Sequence, residues 1–177
     1  ACAKEPPLER TSASDGVAPT MVTRDGDKNR GEYVEVEVFY ATDRSRSGST
    51  APNDFYAKGR GNLEYGVTGV SIPRRHERGE LESPVWWKLE FSEDPARHIV
   101  LLNVSPMTPA DFHGGVAKRT SAAGQRNILV FVHGFNVTFP DAVRRTAQIA
   151  YDLQFSGTPI TFSWPSQGSP SPLGYTT

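Results

Sequence analysis

The chain has 177 residues, 37% of them hydrophobic, 10% aromatic and 22% charged, with a formal net charge of -1. That length and balance predict a soluble globular domain of ordinary size with a tail. A nucleic-acid or anionic-membrane partner would call for a basic patch that near-neutral charge does not supply, and no stretch approaches the ~20 consecutive apolar residues of a membrane-spanning helix.

Cys2 is the only cysteine, which excludes an internal disulfide and a cysteine-built metal cage. Ala1-Cys2-Ala3 followed by a polar stretch resembles the end of a bacterial lipoprotein signal, whose cysteine becomes the lipidated first residue. An incidental terminal cysteine is the alternative. Lipidation would place the protein at the bacterial cell envelope or in the periplasm; otherwise it is expected in the cytoplasm.

Residues 1–31 read as a disordered tail or tether. Pro6, Pro7 and Pro19 and a scatter of charges leave too little apolar surface to offset ordering entropy. The domain is expected over 32–177. Residues 33–40 alternate apolar and acidic side chains with period two, which predicts a strand with Val34, Val36 and Val38 buried and Glu35 and Glu37 in solvent. Residues 41–61 read as a long polar connection, of a kind that is usually functional or mobile. Further strands are predicted at 65–72, stopped by Pro73, at 85–91 and at 98–104. Residues 111–126 fit either a short helix or a loop. Trp86 and Trp87, adjacent on one strand, must face opposite sides of it.

The densest signal lies in 127–164. Ile128 to Val132 is an unbroken apolar run, as in a strand buried on both faces of a parallel sheet. It ends in His133-Gly134-Phe135-Asn136, where a glycine permits a tight turn and exposes amides at the strand's carboxyl end. Thr138-Phe139-Pro140-Asp141 fits a capping box with proline in the first turn. Val143, Ala147, Ala150 and Leu153 follow at helical spacing, with Arg144, Arg145, Gln148 and Asp152 off the stripe. Residues 159–164 read as the next strand. Strand, helix and strand over this length form a right-handed βαβ crossover with parallel strands.

These residues resemble a known family. His133-Gly134-Phe135-Asn136 after an apolar strand, then Phe162-Ser163-Trp164-Pro165-Ser166 after the crossover helix, look like the bacterial α/β-hydrolase family once catalogued as a domain of unknown function. Val38-Phe39-Tyr40-Ala41-Thr42-Asp43-Arg44, Tyr65-Gly66, Val70-Ser71-Ile72-Pro73 and His76 agree with it. The resemblance covers about residues 33–175 and only the N-terminal part of the family's domain. It implies an α/β fold with an incomplete hydrolase-type sheet: antiparallel strands first, then the parallel βαβ unit, ending before the nucleophile strand.

By the same resemblance the activity is esterase- or lipase-like, acyl transfer by a Ser-His-Asp triad, with no cofactor and no metal. The loop after the third strand of such folds supplies one oxyanion amide. Carried over, that assigns the loop His133, Gly134, Phe135 and Asn136, with the donor N–H at Phe135 or Asn136 and His133 shaping the loop. Trp164 and Ser166 are expected beside the substrate, a small-molecule ester. No Gly-x-Ser-x-Gly occurs in the 177 residues, so the triad is expected to be absent and the chain inactive alone. The 128–132 strand would then be an edge open to self-association or to a complementary chain. A non-catalytic binding module, tethered through Cys2, is the alternative. His76, His98 and His113 show no metal-ligand spacing and read as surface or loop histidines. Asp43 and Arg44 fit either a pocket or an exposed ion pair.

Overall fold

A computed structural model describes residues 31–79, 94–122 and 126–166. The tail with Cys2, the strand expected at 85–91 with Trp86 and Trp87, and the residues after Ser166 lie outside the described residues. Among the described residues the six strands are β1 (Tyr33–Arg46), β2 (Tyr56–Pro73), β3 (Val100–Leu101), β4 (Ser105–Met107), β5 (Ile128–Val132) and β6 (Thr158–Ser163). The helices are α1 (Pro109–Ala122) and α2 (Phe139–Asp152).

One sheet holds all six strands in the order β3-β2-β1-β6-β5, with β4 also on β2. β1 and β2 are antiparallel, while β1–β6 and β5–β6 are parallel. The carboxyl ends of β1, β6 and β5 therefore meet along one edge of the sheet. The fold is α/β, with the expected antiparallel start and parallel βαβ unit.

Residue parity along β1 distributes the two faces, because successive strand side chains point to opposite sides. Val36, Val38 and Tyr40 face α2 and pack with Phe139, Val143 and Ala147 in the main core. Phe39 and Glu37 face α1: the Phe39 and Phe112 rings meet edge to face at 5.7 Å, and Arg119 bonds Glu37 at 2.9 Å. The expectation that Glu35 lies in solvent is corrected. Its carboxylate packs against Gly69 of β2 beside the Asn103 side chain, and Glu35 is 9% exposed.

α2 starts as its sequence reads. Thr138 is the N-cap, its hydroxyl accepts the Asp141 N–H at 3.3 Å, and Pro140 sits in the first turn. Val143, Ala147 and Ala150 are buried, small enough to bring the helix close to the sheet. Two positions on that helix differ from the expectation. Leu153 is 67% exposed because the helix stops at Asp152 and turns through Gln154 at φ 49°. Gln148 is buried, held by Arg145 at 2.7 Å.

The strands before α1 also differ. The region expected as a polar connection is mostly sheet: β1 runs on to Arg46 and β2 begins at Tyr56, with register shifts at Thr42/Arg44 and Arg44/Arg46. Composition hid this: Thr42 and Arg44 are buried and Asp43, Arg46 and Arg60 are paired, so polar residues stand where a strand is usually recognised by apolar ones. Of the strand expected at 98–104 only β3 forms; β4 begins just beyond it, and Thr68 donates its hydroxyl to the Asn103 carbonyl in the gap between the two. Gly66 is required by close approach, since a Cβ there would collide with the Tyr40 ring and the Ser105 carbonyl.

β5 has the expected residues but not the expected burial. It is the last strand in the order, and Ile128, Val130 and Val132 are 48%, 58% and 57% exposed on one face. A continuous apolar run thus marks a strand built to be covered on both sides, and the described residues cover it on one edge only.

Candidate functional site

The carboxyl ends of β1, β6 and β5 converge on one buried cation. Arg44, at the even parity that turns Val36, Val38 and Tyr40 inward, is 2% exposed. Its Nε donates to Ser163 Oγ at 2.9 Å, one terminal nitrogen to the Ser166 carbonyl at 3.2 Å, and the other to the Val137 carbonyl at 2.7 Å. The second of these nitrogens also lies 3.5 Å from His133 Nε2. One guanidinium thereby ties the end of β1 to the segment after β6 and to the segment leading into α2. Thr42 adds a second tie from β1, donating its hydroxyl to the Ser163 carbonyl at 2.6 Å.

These contacts fix where the protons are. An arginine only donates, so Ser163 Oγ accepts from Arg44. Its own hydrogen is then directed to His133 Nε2, 3.2 Å away. That nitrogen is an acceptor, and the imidazole proton is on Nδ1, donated to the Gly134 carbonyl at 2.8 Å. Burial is the chief reason that the His133 pKa lies below its ordinary value of 6.5, and the neighbouring Arg44 charge acts in the same direction. His133 is the neutral Nδ1–H tautomer at neutral pH. Arg44, brought down to about 10 chiefly by burial, remains charged. Its carboxylate neighbours are engaged elsewhere: Asp43 with Arg60 at 2.7 Å and Asp141 with the Thr138 cap.

The segment 133–137 is gripped further by Trp164, whose ring stacks on His133 at 5.1 Å and 15° and whose Nε1 donates to the His133 carbonyl at 2.9 Å. Ser166 is buried, and its hydroxyl accepts the Val137 N–H at 3.3 Å. Between these grips the turn itself is open. Gly134 is exposed, and a Cβ built on it would meet nothing within 4 Å. The left-handed residue of the turn is Asn136 at φ 64°, not the glycine, whose φ is not positive. Asparagine is among the few residues that tolerate that region. Gly134 is thus needed neither for its backbone angle nor for packing, and what it leaves is free space above the turn.

His133 and Ser163 lie at the separation of a general base and a nucleophile. Ser163 has no exposed surface, however, and its oxygen already accepts from Arg44. No substrate carbonyl can reach it, and the pair is a structural clamp.

Of the residues singled out by sequence, His133, Gly134, Phe135, Asn136, Trp164 and Ser166 fall in one cluster. Arg44, Thr42 and Ser163 are the members that hold it together, and the sequence reading left Arg44 between a pocket and a surface pair. Parity along β1 was the available signal. His76 and His98 are loop residues whose side chains are buried: His76 Nε2 lies 2.8 Å from Asp152 Oδ1, and His98 Nδ1 accepts the Asp94 N–H at 3.1 Å. Among the described residues no group of histidines, cysteines and acids could hold a metal ion.

The neutral state of His133 makes stability depend on pH. The unfolded chain takes up the proton near pH 6.5 and the folded chain resists it, so the unfolded state holds more protons below that value. Stability from this site is present above about 6.5 and is lost as pH falls from there toward the folded value. The urea midpoint of the wild-type chain is expected to fall more between about pH 7.5 and about pH 5.5 than that of His133→Gln. Equal falls would show that His133 carries none of the dependence.

No curated protein and no solved structure matches the chain. Residues 109–177 match the sequence model of a family described as alpha/beta hydrolase of unknown function. Those residues hold α1, β5, the 133–137 turn, α2 and β6. Over that part, and with an α/β sheet to match, the chain resembles this hydrolase family.

Proposed function

We propose that the chain carries the oxyanion-loop part of an ester hydrolase of the α/β-hydrolase kind, with a small-molecule carboxylic ester as substrate. The observation that carries this reading is the 133–137 turn: clamped by Arg44, Ser163 and Trp164, yet open above Gly134. Rigid donors aimed at a vacant position are what a tetrahedral oxyanion needs, because preorganised dipoles cost no reorganisation as charge develops. The donor is the amide of Phe135 or Asn136. Among the described residues no acceptor is paired with the Asn136 N–H. Trp164 borders the turn, and Ser166 sets its far end through Val137.

The nucleophile is not among these 177 residues, since they contain no Gly-x-Ser-x-Gly. Acyl transfer therefore requires residues supplied alongside β5, whose outer edge has no strand partner among the described residues and whose exposed Ile128, Val130 and Val132 are suited to strand addition. A polypeptide segment that bears the nucleophile would lie along this edge; a second copy of the same residues can pair with the edge but brings no nucleophile. A non-catalytic binding module, attached to a membrane through lipidated Cys2, is the second reading. It is favoured by the burial of Ser163 and Ser166, which commits both hydroxyls to internal bonds.

Incubated alone with a fluorophosphonate probe and a short-chain activated ester, the chain is expected to show neither serine labelling nor hydrolysis above buffer. Assembled with a polypeptide bearing the nucleophile elbow, it should hydrolyse the ester, and Gly134→Val should lower that rate by about 10²–10³. Labelling of the chain alone, or an assembly indifferent to Gly134→Val, would remove the oxyanion reading.

The β5 edge is tested separately. The wild-type chain is expected to self-associate with concentration on size exclusion, and Val130→Lys to shift it toward monomer, because a charge on an edge strand opposes pairing. A wild-type monomer at every dilution would contradict the edge proposal.

A further inference from the structure

Half of one sheet face is apolar and carries no helix among the described residues. Strand register defines it. The Thr161 hydroxyl of β6 bonds the Thr146 hydroxyl of α2, so Thr161 and its partner Phe131 face α2. The alternate residues face the α1 side: Phe39 meets Phe112 of α1, Ile160 lies beside Phe39, and Val130 lies beside Ile160. Ile128, Val130 and Val132 are therefore exposed on the face that α1 shares, with Ile160 and Phe162 partly buried next to them.

α1 borders this strip without covering it. Its Thr120 hydroxyl lies 2.8 Å from that of Thr158 at the amino end of β6, and its buried Phe112 sits against Phe39 of β1. The strip beyond is two strands wide, about 10 Å, which is the width of one helix. Exposed aliphatic side chains beside a helix already in place form a surface on which a second helix packs.

The handedness of crossovers selects the same strip. The connection β5–α2–β6 passes over the α2 face while moving inward across the sheet. A parallel strand added outside β5 and connected from β6 moves outward instead. Right-handedness then places its crossover helix on the opposite face, over Ile128, Val130 and Val132. Such a helix runs antiparallel to the strands and ends near the amino end of β5. Arg126 stands there, exposed and with no ion-pair partner among the described residues, where it complements the negative end of a helix dipole.

We infer that the face formed by Ile128, Val130 and Val132 is the seat of an amphipathic helix, laid beside α1 and joined to the strand that pairs with β5. The seat rests on the nucleophile-bearing segment proposed above and gives that segment its form, a strand with a helix rather than a strand alone. A second copy of these residues does not fill it, because the apolar sides of its α1 and α2 are packed on its own sheet.

The probe is a synthetic peptide of about 18 residues, long enough to form a helix, with leucines at helical spacing on one face and glutamate and lysine elsewhere. Its control has the same composition with the stripe scrambled. Titrated into the full chain, the striped peptide is expected to shift the methyl resonances of Ile128, Val130, Val132 and Ile160 saturably. Those of Val36 and Val38 on the other face should stay in place, and the scrambled peptide should shift none. The double variant Val130→Thr/Val132→Thr keeps β-branched residues and the backbone edge but removes two apolar groups. It should weaken the striped peptide by roughly tenfold and leave self-association through the edge as in the wild type. Equal binding of the scrambled peptide, shifts on the α2 face, undiminished binding by the variant, or no saturation at millimolar peptide would overturn the seat. Each of these outcomes leaves the fluorophosphonate and size-exclusion results standing, so the readings fail separately.

Discussion

The Arg44 guanidinium is the constraint on which the carboxyl edge of the sheet depends. It is fully charged at neutral pH, almost wholly buried, and bonded to a serine hydroxyl and two backbone carbonyls from segments far apart in sequence. Each hydrogen bond to a charged donor contributes about 1.5–3 kcal/mol, and leaving its acceptors buried without a partner costs as much again. Lysine could not replace it. A compact ammonium lacks the planar fork that reaches Ser163, Ser166 and Val137 at once.

Everything distinctive about the site follows from that clamp. With its Nε–H on Ser163 Oγ, the serine proton has only His133 Nε2 to go to, and the imidazole proton is forced onto Nδ1 and the Gly134 carbonyl. A chain of three bonds thus runs from β1 to the turn and fixes its first residue. Trp164 fixes the same residue from the opposite side. The open, exposed Gly134–Asn136 stretch is rigid at both ends and vacant in the middle.

Much of this was legible in the sequence, and the gaps have physical reasons. The β5 boundaries, the Thr138 cap and the parallel crossover follow from local rules, a hydrophobic run and a capping box, that need no tertiary information. The length of β1 and β2 was hidden because their distal halves are polar, and a polar strand reads as a loop until its partners are known. Arg44, Thr42 and Glu35 show the same limit from the other side. Parity assigns each of them to one face of the sheet, yet charge and hydroxyl argue for solvent, and only the partners decide. The burial of β5 was overestimated because a run of five apolar residues records what the strand is suited to pack against. It does not record what lies beside it among the described residues. His76 and His98 were read as surface or loop histidines and both lie in loops, but spacing, which excludes a metal, says nothing about a buried imidazole satisfied by an acid or a backbone amide.

Amide hydrogen exchange on the wild-type chain and on Arg44→Lys tests the clamp most directly. Local opening sets exchange rates, so a turn held by Arg44 should be selectively released. The account predicts faster exchange at residues 133–137 in the variant, with the β1–β2 amides between Tyr33 and Tyr40 unchanged. Unchanged exchange at 133–137, or acceleration spread evenly over the whole sheet, would contradict it.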